Sequence, residues 1–411
     1  MRKFESHRFA KPEEQRSTMT LPDGFTLDTL GFTSGAAGIT VTPERAMTLG
    51  AVSACVRLIA ESIASLPLHV YRSEGGKRQK ITGTPEYRLL HDEPNEIMTS
   101  FVLRETMTAH LLLWGNAYSL IVRNGGGQPL ALLPIHPRGT SVRKQPNGQL
   151  AYVFTLDGKP YTVNQSDILH VPGLSFDGFT GMSPIRYAAE SIGLALAAEE
   201  YGARFFGNGS VPAGTLNVAG KLSPEQVRAL RESWSNAYGG VGNSSKTAVL
   251  FDGAKFERIS MPPEEAQFIE TRKYQVSDIA RWYRVPPHMI GDLERATFSN
   301  IEHQALEFVT HTLRPWLVRW EQEINRKLFP TSSEGQPSNT YVEFNVDGLL
   351  RGDIKARGDY YIRGRQWGWL SANDIRVKEN MDPIDGGDVY LTPLNMVDSK
   401  DPAAQEGNTN V

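Results

Sequence analysis

Two strongly periodic helical segments flank the stretch "RVPPHMIGDLERATFSNIEHQALEFV", residues 284–309, where the periodicity fails. Pro286-Pro287 ends the first helix, because proline lacks an amide donor and disfavours helical backbone in the residue before it. Gly291 then supplies a position free to adopt left-handed backbone. The residues that follow are small, polar or charged and show no apolar repeat of the kind a core requires. A chain built this way places two long helices in a core or an interface. The loop joining them is left without an interior of its own.

Size and charge narrow the classes. At ~100–200 residues per domain, 411 residues allow two to four structural units. The net charge of -3 gives no overall basic field of the kind that drives tight nucleic-acid binding. A protein along which DNA slides would also avoid many phosphate contacts, since each adds affinity and drag. The one cysteine, Cys55, excludes an intramolecular disulfide and a zinc site of its own. It falls within "AVSACVRLIAESIASL" and reads as a small buried hydrophobe. The start, "MRKFESHRFAKPEEQ", lacks the apolar core of a signal peptide. The most apolar window, "AHLLLWGNAYSLIV", is short and interrupted at Gly115 and Asn116, so no membrane span is expected.

Along the chain, residues 1–40 read as a loose arm. A helix is expected from "TPERAMTLGAVSACVRLIAESIASL", capped at Thr42, with Met47, Ala51, Ala54, Leu58 and Ile59 on its apolar stripe. Two strands surround Gly75-Gly76, and a helix runs from about Ser100 to Trp114. Residues 117–172 alternate strands with glycine turns, including Asn147-Gly148 and Asp157-Gly158, and predict an antiparallel meander. The fold class is therefore α+β. Ser183 and Pro184 open a further helix that ends at Gly207. Residues 211–262 read as a small inserted module whose helix begins at Ser223 with Gln226 at capping-box spacing. Its stripe is Val227, Leu230, Trp234 and Tyr238, and one helix with three short strands buries too little apolar surface to stand alone. A helix over about 264–283 follows, then the interrupted stretch, then a helix over about 301–329 that Pro315 should kink. A strand near 341–350, two helices, the second capped at Ser371, and a polar tail from about Asn395 complete the chain.

Chemistry is sparse. No Walker A pattern and no Gly-x-Gly-x-x-Gly after a strand is present, which argues against an ATP motor. "GMSPI" begins like a nucleophile elbow but lacks the second glycine. Ser183 is read first as a helix cap and, as the alternative, as the nucleophile of a hydrolase. His303 and His311 share a helix without a metal-ligand pattern, so neither a metal nor a cofactor is expected. Lys221, Arg228 and Arg231 suit either a partner contact or a solvated face. Trp367 and Trp369 read as packing or interface residues.

The order of elements, and the stretches "AVSACVRLIAESIASLPLHVY", "LLHDEPNEIMTSF", "LLLWGNAYSLIVR", "LHVPGLSFDGFTGMSPI", "FFGNGSVPAGTL" and "FNVDGLLRGDIKAR", together with the interrupted helix pair, resemble the portal proteins of tailed bacteriophages of the HK97 type. The resemblance spans roughly residues 40–390. It implies a structural, non-enzymatic ring, usually of twelve subunits, at one capsid vertex. Double-stranded DNA enters through the ring, driven by a separate terminase large subunit, and later leaves through it. Head–tail adaptor, major capsid and scaffolding proteins are the other implied partners. The implied location is the virion, with assembly in the host cytoplasm.

Mapped by this resemblance, 1–40 is the arm and 41–183 the wing. Residues 184–210 and 263–290 are stem helices, and 211–262 is the clip. The long kinked helix and strand of 301–350 return to the wing, 351–394 is a short helical crown, and 395–411 is a disordered tail. Lys221, Arg228, Arg231, Trp234 and Tyr238 become clip contacts to a partner or a neighbouring subunit. Residues 291–300 become the tunnel loop, presenting Asp292, Leu293, Glu294, Arg295, Ala296, Thr297, Phe298, Ser299 and Asn300 to DNA. Two acids against one arginine would repel a duplex carrying one charge per ~1.7 Å rather than grip it.

Overall fold

The computed structural model describes residues 33–34, 38–75, 77–156, 158–207, 214–217, 223–238, 255–258, 263–292, 306–330, 338–346, 354–379 and 381–391. They fall into two compact units, Met1–Phe344 and Asn345–Val411.

The first unit opens with two short strands, β1 (Thr33–Ser34) and β2 (Thr40–Val41), paired antiparallel. The end of the expected loose arm is therefore ordered by pairing. The helix expected from Thr42 is two helices, α1 (Pro43–Ala46) and α2 (Gly50–Ser65). The Thr48 hydroxyl donates to the Arg45 carbonyl at 2.7 Å and takes an acceptor that helical backbone would use. α2 buries Val52, Cys55, Val56, Ile59, Ala60 and Ile63; of the expected stripe Ile59 is buried, while Met47, Ala51, Ala54 and Leu58 are half-buried. Cys55 is fully buried, and burial pushes its thiol up to about 12.

β3 (Leu68–Glu74) and β4 (Lys77–Ile81) form a hairpin, and α3 (Pro85–Tyr87) runs into a π turn at Arg88–Asp92. Packed against α2 is α4 (Ser100–Trp114), capped by Thr99 at its start and ended by Gly115 at φ +79°. Arg104, buried on α4, donates to the carbonyls of Ala64 (2.8 Å) and Leu90 (3.0 Å). It satisfies the open end of α2 and the π turn with one charged group.

The expected single meander is two sheets. β5 (Asn116–Arg123) and β6 (Pro129–Ile135) pair with β10 (Ile168–Pro172) in the order β10-β5-β6. β7 (Ser141–Lys144), β8 (Leu150–Leu156) and β9 (Lys159–Asn164) form a separate sheet. Between β6 and β7, Thr140 closes a turn onto the carbonyls of His136 and Pro137, which carries β7 off the first sheet. Tyr118, Ile135, Tyr152, Phe154 and Ile168 fill the space between the sheets.

One corner holds these parts together. The Asn116 side chain accepts from Gly181 N–H (2.8 Å) and donates to Gly181 O (2.6 Å). Its oxygen also meets His170 Nε2 at 3.0 Å, and His170 Nδ1 meets the Tyr152 hydroxyl at 3.1 Å. Neutral His170 thus donates from Nε2 and accepts at Nδ1. Gly173 N–H donates to Gly115 O at 2.8 Å. The backbones approach so closely that a Cβ on Gly115 would sit 2.2 Å from Met182 O, and one on Gly181 would sit 2.0 Å from Gly115 O.

From this corner the chain enters α5 (Pro184–Tyr187) and α6 (Ala189–Gly207), one expected helix broken at Ala188. β11 (Gly214–Asn217) pairs with β12 (Lys255–Arg258), and α7 (Pro224–Tyr238) lies between them in sequence. Ser223 and Gln226 exchange hydrogen bonds as a capping box. α8 (Pro263–Tyr283) follows and buries Ile279, Ala280 and Tyr283. It ends at Tyr283, where the sequence places its end, because the two prolines after it cannot continue a helix.

The described part of the expected 301–329 helix is a π turn at Phe308–Leu313 leading into α9 (Arg314–Leu328). Pro315 cannot donate to residue 311, and its ring crowds that carbonyl. The backbone widens instead, so that Arg314 N–H reaches Val309 O five residues back. α9 buries Trp320 and Ile324. β13 (Thr340–Phe344) pairs antiparallel with β3, Val342 opposite Val70.

In the second unit, α10 (Ile354–Gln366) and α11 (Ala372–Lys378) are described. Ser371 and Asp374 form the capping box of α11. Trp367 and Trp369 are about half exposed, at 54% and 46%.

Two tests follow from this packing. Gly115→Ala should lose more than about 1 kcal/mol in urea unfolding, since the residue has left-handed backbone and no room for a Cβ. Burial holds His170 and His110 near 3 and His69 near 4 in the folded state, against about 6.5 in the unfolded chain. The unfolded chain therefore takes up these protons first. Stability should fall as pH drops from about 6.5 toward 4 and be insensitive to these groups above it. The urea midpoint measured at pH 7 and pH 5 should show this drop, and it should be shallower in His110→Leu.

Candidate functional site

α6 and α8 run antiparallel, tied by an Arg272–Glu199 ion pair at 3.1 Å and by Trp282 Nε1 donating to Ser191 Oγ at 3.3 Å. The pair leaves Leu194, Tyr201, Tyr274 and Trp282 between 46% and 62% exposed. Apolar side chains of both helices thus face water. The described residues contain no helix long and apolar enough to cross a membrane.

The end of α8 is built as a rigid mount. Arg284 takes left-handed backbone at φ +57°, rare for a side-chain-bearing residue, while Val285 N–H donates to Ala280 O at 2.9 Å. A 3₁₀ turn, Pro287–Ile290, follows, and Gly291 at φ +91° reverses the chain. Asp292 N–H donates to Pro287 O at 3.1 Å, and its carboxylate accepts from Ser277 Oγ at 3.1 Å. The Thr312 hydroxyl, on the π turn, donates to Arg284 O. The two ends of the segment 293–305 are thus joined to each other, and both contact α2.

Of the residues expected to face DNA, Asp292 is tied back to α8 and belongs to the mount, while Leu293, Glu294, Arg295, Ala296, Thr297, Phe298, Ser299 and Asn300 lie outside the described residues. Lys221 lies outside them as well. Arg228 is exposed on α7. The backbones of Arg231, Trp234 and Tyr238 continue α7, but their side chains are outside the described set. Ser277, Arg284 and Thr312 were not singled out from sequence. Their link spans residues far apart in the chain, which periodicity does not report.

Ser183 caps α5. Its one proton goes to Leu113 O at 2.6 Å and its oxygen accepts from Arg186 N–H at 3.3 Å. That arrangement gives no support to the hydrolase alternative, which needs a base on Ser183 Oγ. Among the described residues, no group of three or more His, Cys, Asp or Glu side chains is placed to hold a metal ion.

A family profile described as phage portal protein matches residues 50–380. The chain is 40% identical over 376 residues to the probable portal protein of Streptomyces phage phiC31, covering 88% of this chain and 81% of that protein. It is 35% identical over 361 residues to the portal protein of Enterobacteria phage HK97, covering 87% of this chain and 84% of that one.

This chain belongs to the phage portal protein family.

Solved structures agree on the portal fold. A chain from the virion of a native gene transfer agent particle matches with a TM-score of 0.62 at 24% identity, over 83% of this chain and 94% of that one. A chain from the neck of the same kind of particle, computed with C12 symmetry, matches with a TM-score of 0.61, over 82% and 91%. An HK97 family phage portal protein from Corynebacterium diphtheriae matches with a TM-score of 0.52 at 19% identity, over 75% and 96%. The portal family is a structural one, consistent with a site made of mounts and surfaces rather than reacting groups.

Thr312→Val removes the donor that joins the two ends of the 293–305 segment. Hydrogen exchange at the amides of residues 285–292 and 308–313 should quicken in this variant, while amides of β5 and β10 keep their wild-type protection.

Proposed function

We propose that this chain assembles head to tail into a ring, of twelve copies, at one vertex of a phage or prophage capsid. Double-stranded DNA passes through its axis during packaging and ejection. Family membership across most of the chain carries this reading. The C12 symmetry of the matched gene transfer agent neck supports the number. Closed rings of one repeated contact are the ordinary result of heterologous association.

Within that ring, the α+β part at 41–183 is the wing, joined by 301–350, and 351–394 is the crown. The helices at 184–210 and 263–290 are the stem. The inserted module at 211–262 is the clip, presenting Lys221, Arg228, Arg231, Trp234 and Tyr238 to the terminase large subunit, a head–tail adaptor or the next subunit. Residues 291–300 are the tunnel loop. Its mount favours this role: a loop that meets a moving duplex needs roots fixed to the core, and here they are fixed to α8, α2 and the π turn. Glu294 and Arg295 bring no net positive charge, so the loop guides DNA without holding it.

Light scattering and negative-stain microscopy test the ring. Twelve copies of a 45.6 kDa chain give roughly 550 kDa with an axial hole wide enough for a duplex. A monomer that stays monomeric with capsid and scaffolding proteins present overturns the reading. Deleting 292–299 should leave rings intact and lower the yield of packaged DNA. Trp234→Ala should weaken ring assembly more than it lowers the melting temperature of the monomer.

A further inference from the structure

The loop that leads into α4 holds its most apolar residue in water. Ile97 is 87% exposed, more than any other large hydrophobic residue among those described. Nothing about the loop is slack. Asn95 donates to Leu132 O at 2.8 Å, and its oxygen accepts from the amides of Ile97 (2.9 Å) and Met98 (3.1 Å). Leu132 N–H returns a bond to Pro94 O at 2.8 Å. Ser100 Oγ donates to His91 O at 2.6 Å, and buried Arg104 holds Leu90 O. A side chain fixed in an exposed pose by its own backbone is preorganised for a partner, because little entropy remains to lose on docking.

At the other end of α4 lies an open groove of about 580 Å³ that takes in Leu111 and Leu112. Leu174, Tyr187, Trp282 and Trp316 are among its apolar lining. Arg281, Arg284 and Arg319 line it against one acid, Asp278. The Ile97 loop has the opposite character, with Asp92, Glu93 and Glu96 around the apolar tip. Some of these charges are paired at home: Glu93 with Arg88 at 3.1 Å, Asp92 with His91 at 2.7 Å, Arg281 with Asp278 at 2.9 Å. Glu96 on the loop and Arg284 on the groove have no ion-pair partner among the described residues.

We propose that the Ile97 loop of one copy of this chain seats in the Trp282–Trp316 groove of the next. The 15 residues of α4 separate loop and groove by about 20 Å, so Ile97 cannot fill the groove of its own chain. Knob and hole at opposite ends of α4 make a heterologous contact, the kind that propagates from copy to copy and closes by rotation. The inference rests on the ring reading and names one contact that builds the ring. Ile97 is its apolar anchor, and the acidic loop against the arginine-lined groove sets its register.

The single native thiol, Cys55, is buried, so engineered cysteines report this contact cleanly. Ile97→Cys combined with Leu174→Cys, and separately with Trp282→Cys, should under mild oxidation give a ladder of covalent multimers from assembled rings. Each single variant should give none. Ile97→Asp should raise the protein concentration needed for ring formation by about tenfold or more while leaving the melting temperature of the monomer unchanged. Glu96→Arg should weaken assembly, and adding Arg284→Glu should restore it. Rings that form without a ladder from either pair, or an Ile97→Asp protein that assembles at the wild-type concentration, overturn the contact and leave the ring reading standing. Wild-type protein that forms no ring in any condition overturns both.

Discussion

Asn116 is the tie on which the rest of the molecule depends. Its amide bonds both backbone groups of Gly181 and meets His170, which in turn meets Tyr152. Asn116 and His170 together join four segments: the end of α4, the β10 strand, the β8 strand of the second sheet and the turn into α5. A buried amide with every partner in place specifies one arrangement, because any other leaves costly polar groups unpaired. Gly115 and Gly181 make the arrangement possible by letting the backbones approach to distances that a Cβ would forbid, with Gly173 tightly packed beside them. Arg319 of α9 reinforces the corner, donating to the carbonyls of Pro172 and Gly173 at 3.0 and 2.8 Å.

From that corner the functional parts extend with few reacting groups and many fixed directions. α5 and α6 leave it through the Ser183 cap. α8 returns alongside α6 and is anchored near the corner by the Tyr283 hydroxyl on Leu112 O at 3.4 Å. A channel subunit needs this kind of rigidity more than it needs chemistry. In the proposed ring, fixed directions of this kind keep a passage open and neighbouring copies in register.

Irregular backbone gathers where the helices give way to the loop. Arg284 has left-handed backbone, Gly291 reverses the chain, and the π turn at Phe308–Leu313 precedes Pro315. Such conformations persist only when the surroundings over-determine them, and here Thr312 and Ser277 provide the fastening. The prolines and Gly291 showed in the sequence that the helices must stop. The same residues now serve to aim what lies between them.

Much of the local structure was legible from the residues. The Thr99-to-Gly115 helix, the Ser183, Ser223 and Ser371 caps and the glycine hairpins are short-range events, decided by propensity and by hydrogen bonds within a few residues. The family was also legible, from the order of the elements and from "WGNAY", "FTGMSPI" and "RVPPHMIGD". What the tertiary structure alone decided is of another kind. It split the expected meander into two sheets, left Ala51, Ala54 and Leu58 of the expected α2 stripe only half-buried, made Asp292 part of the loop's mount and put the Ile97 loop and the Trp282 groove at opposite ends of one helix. Each of these depends on groups far apart in the chain meeting in space, and a pattern of neighbours along a sequence holds no measure of that distance.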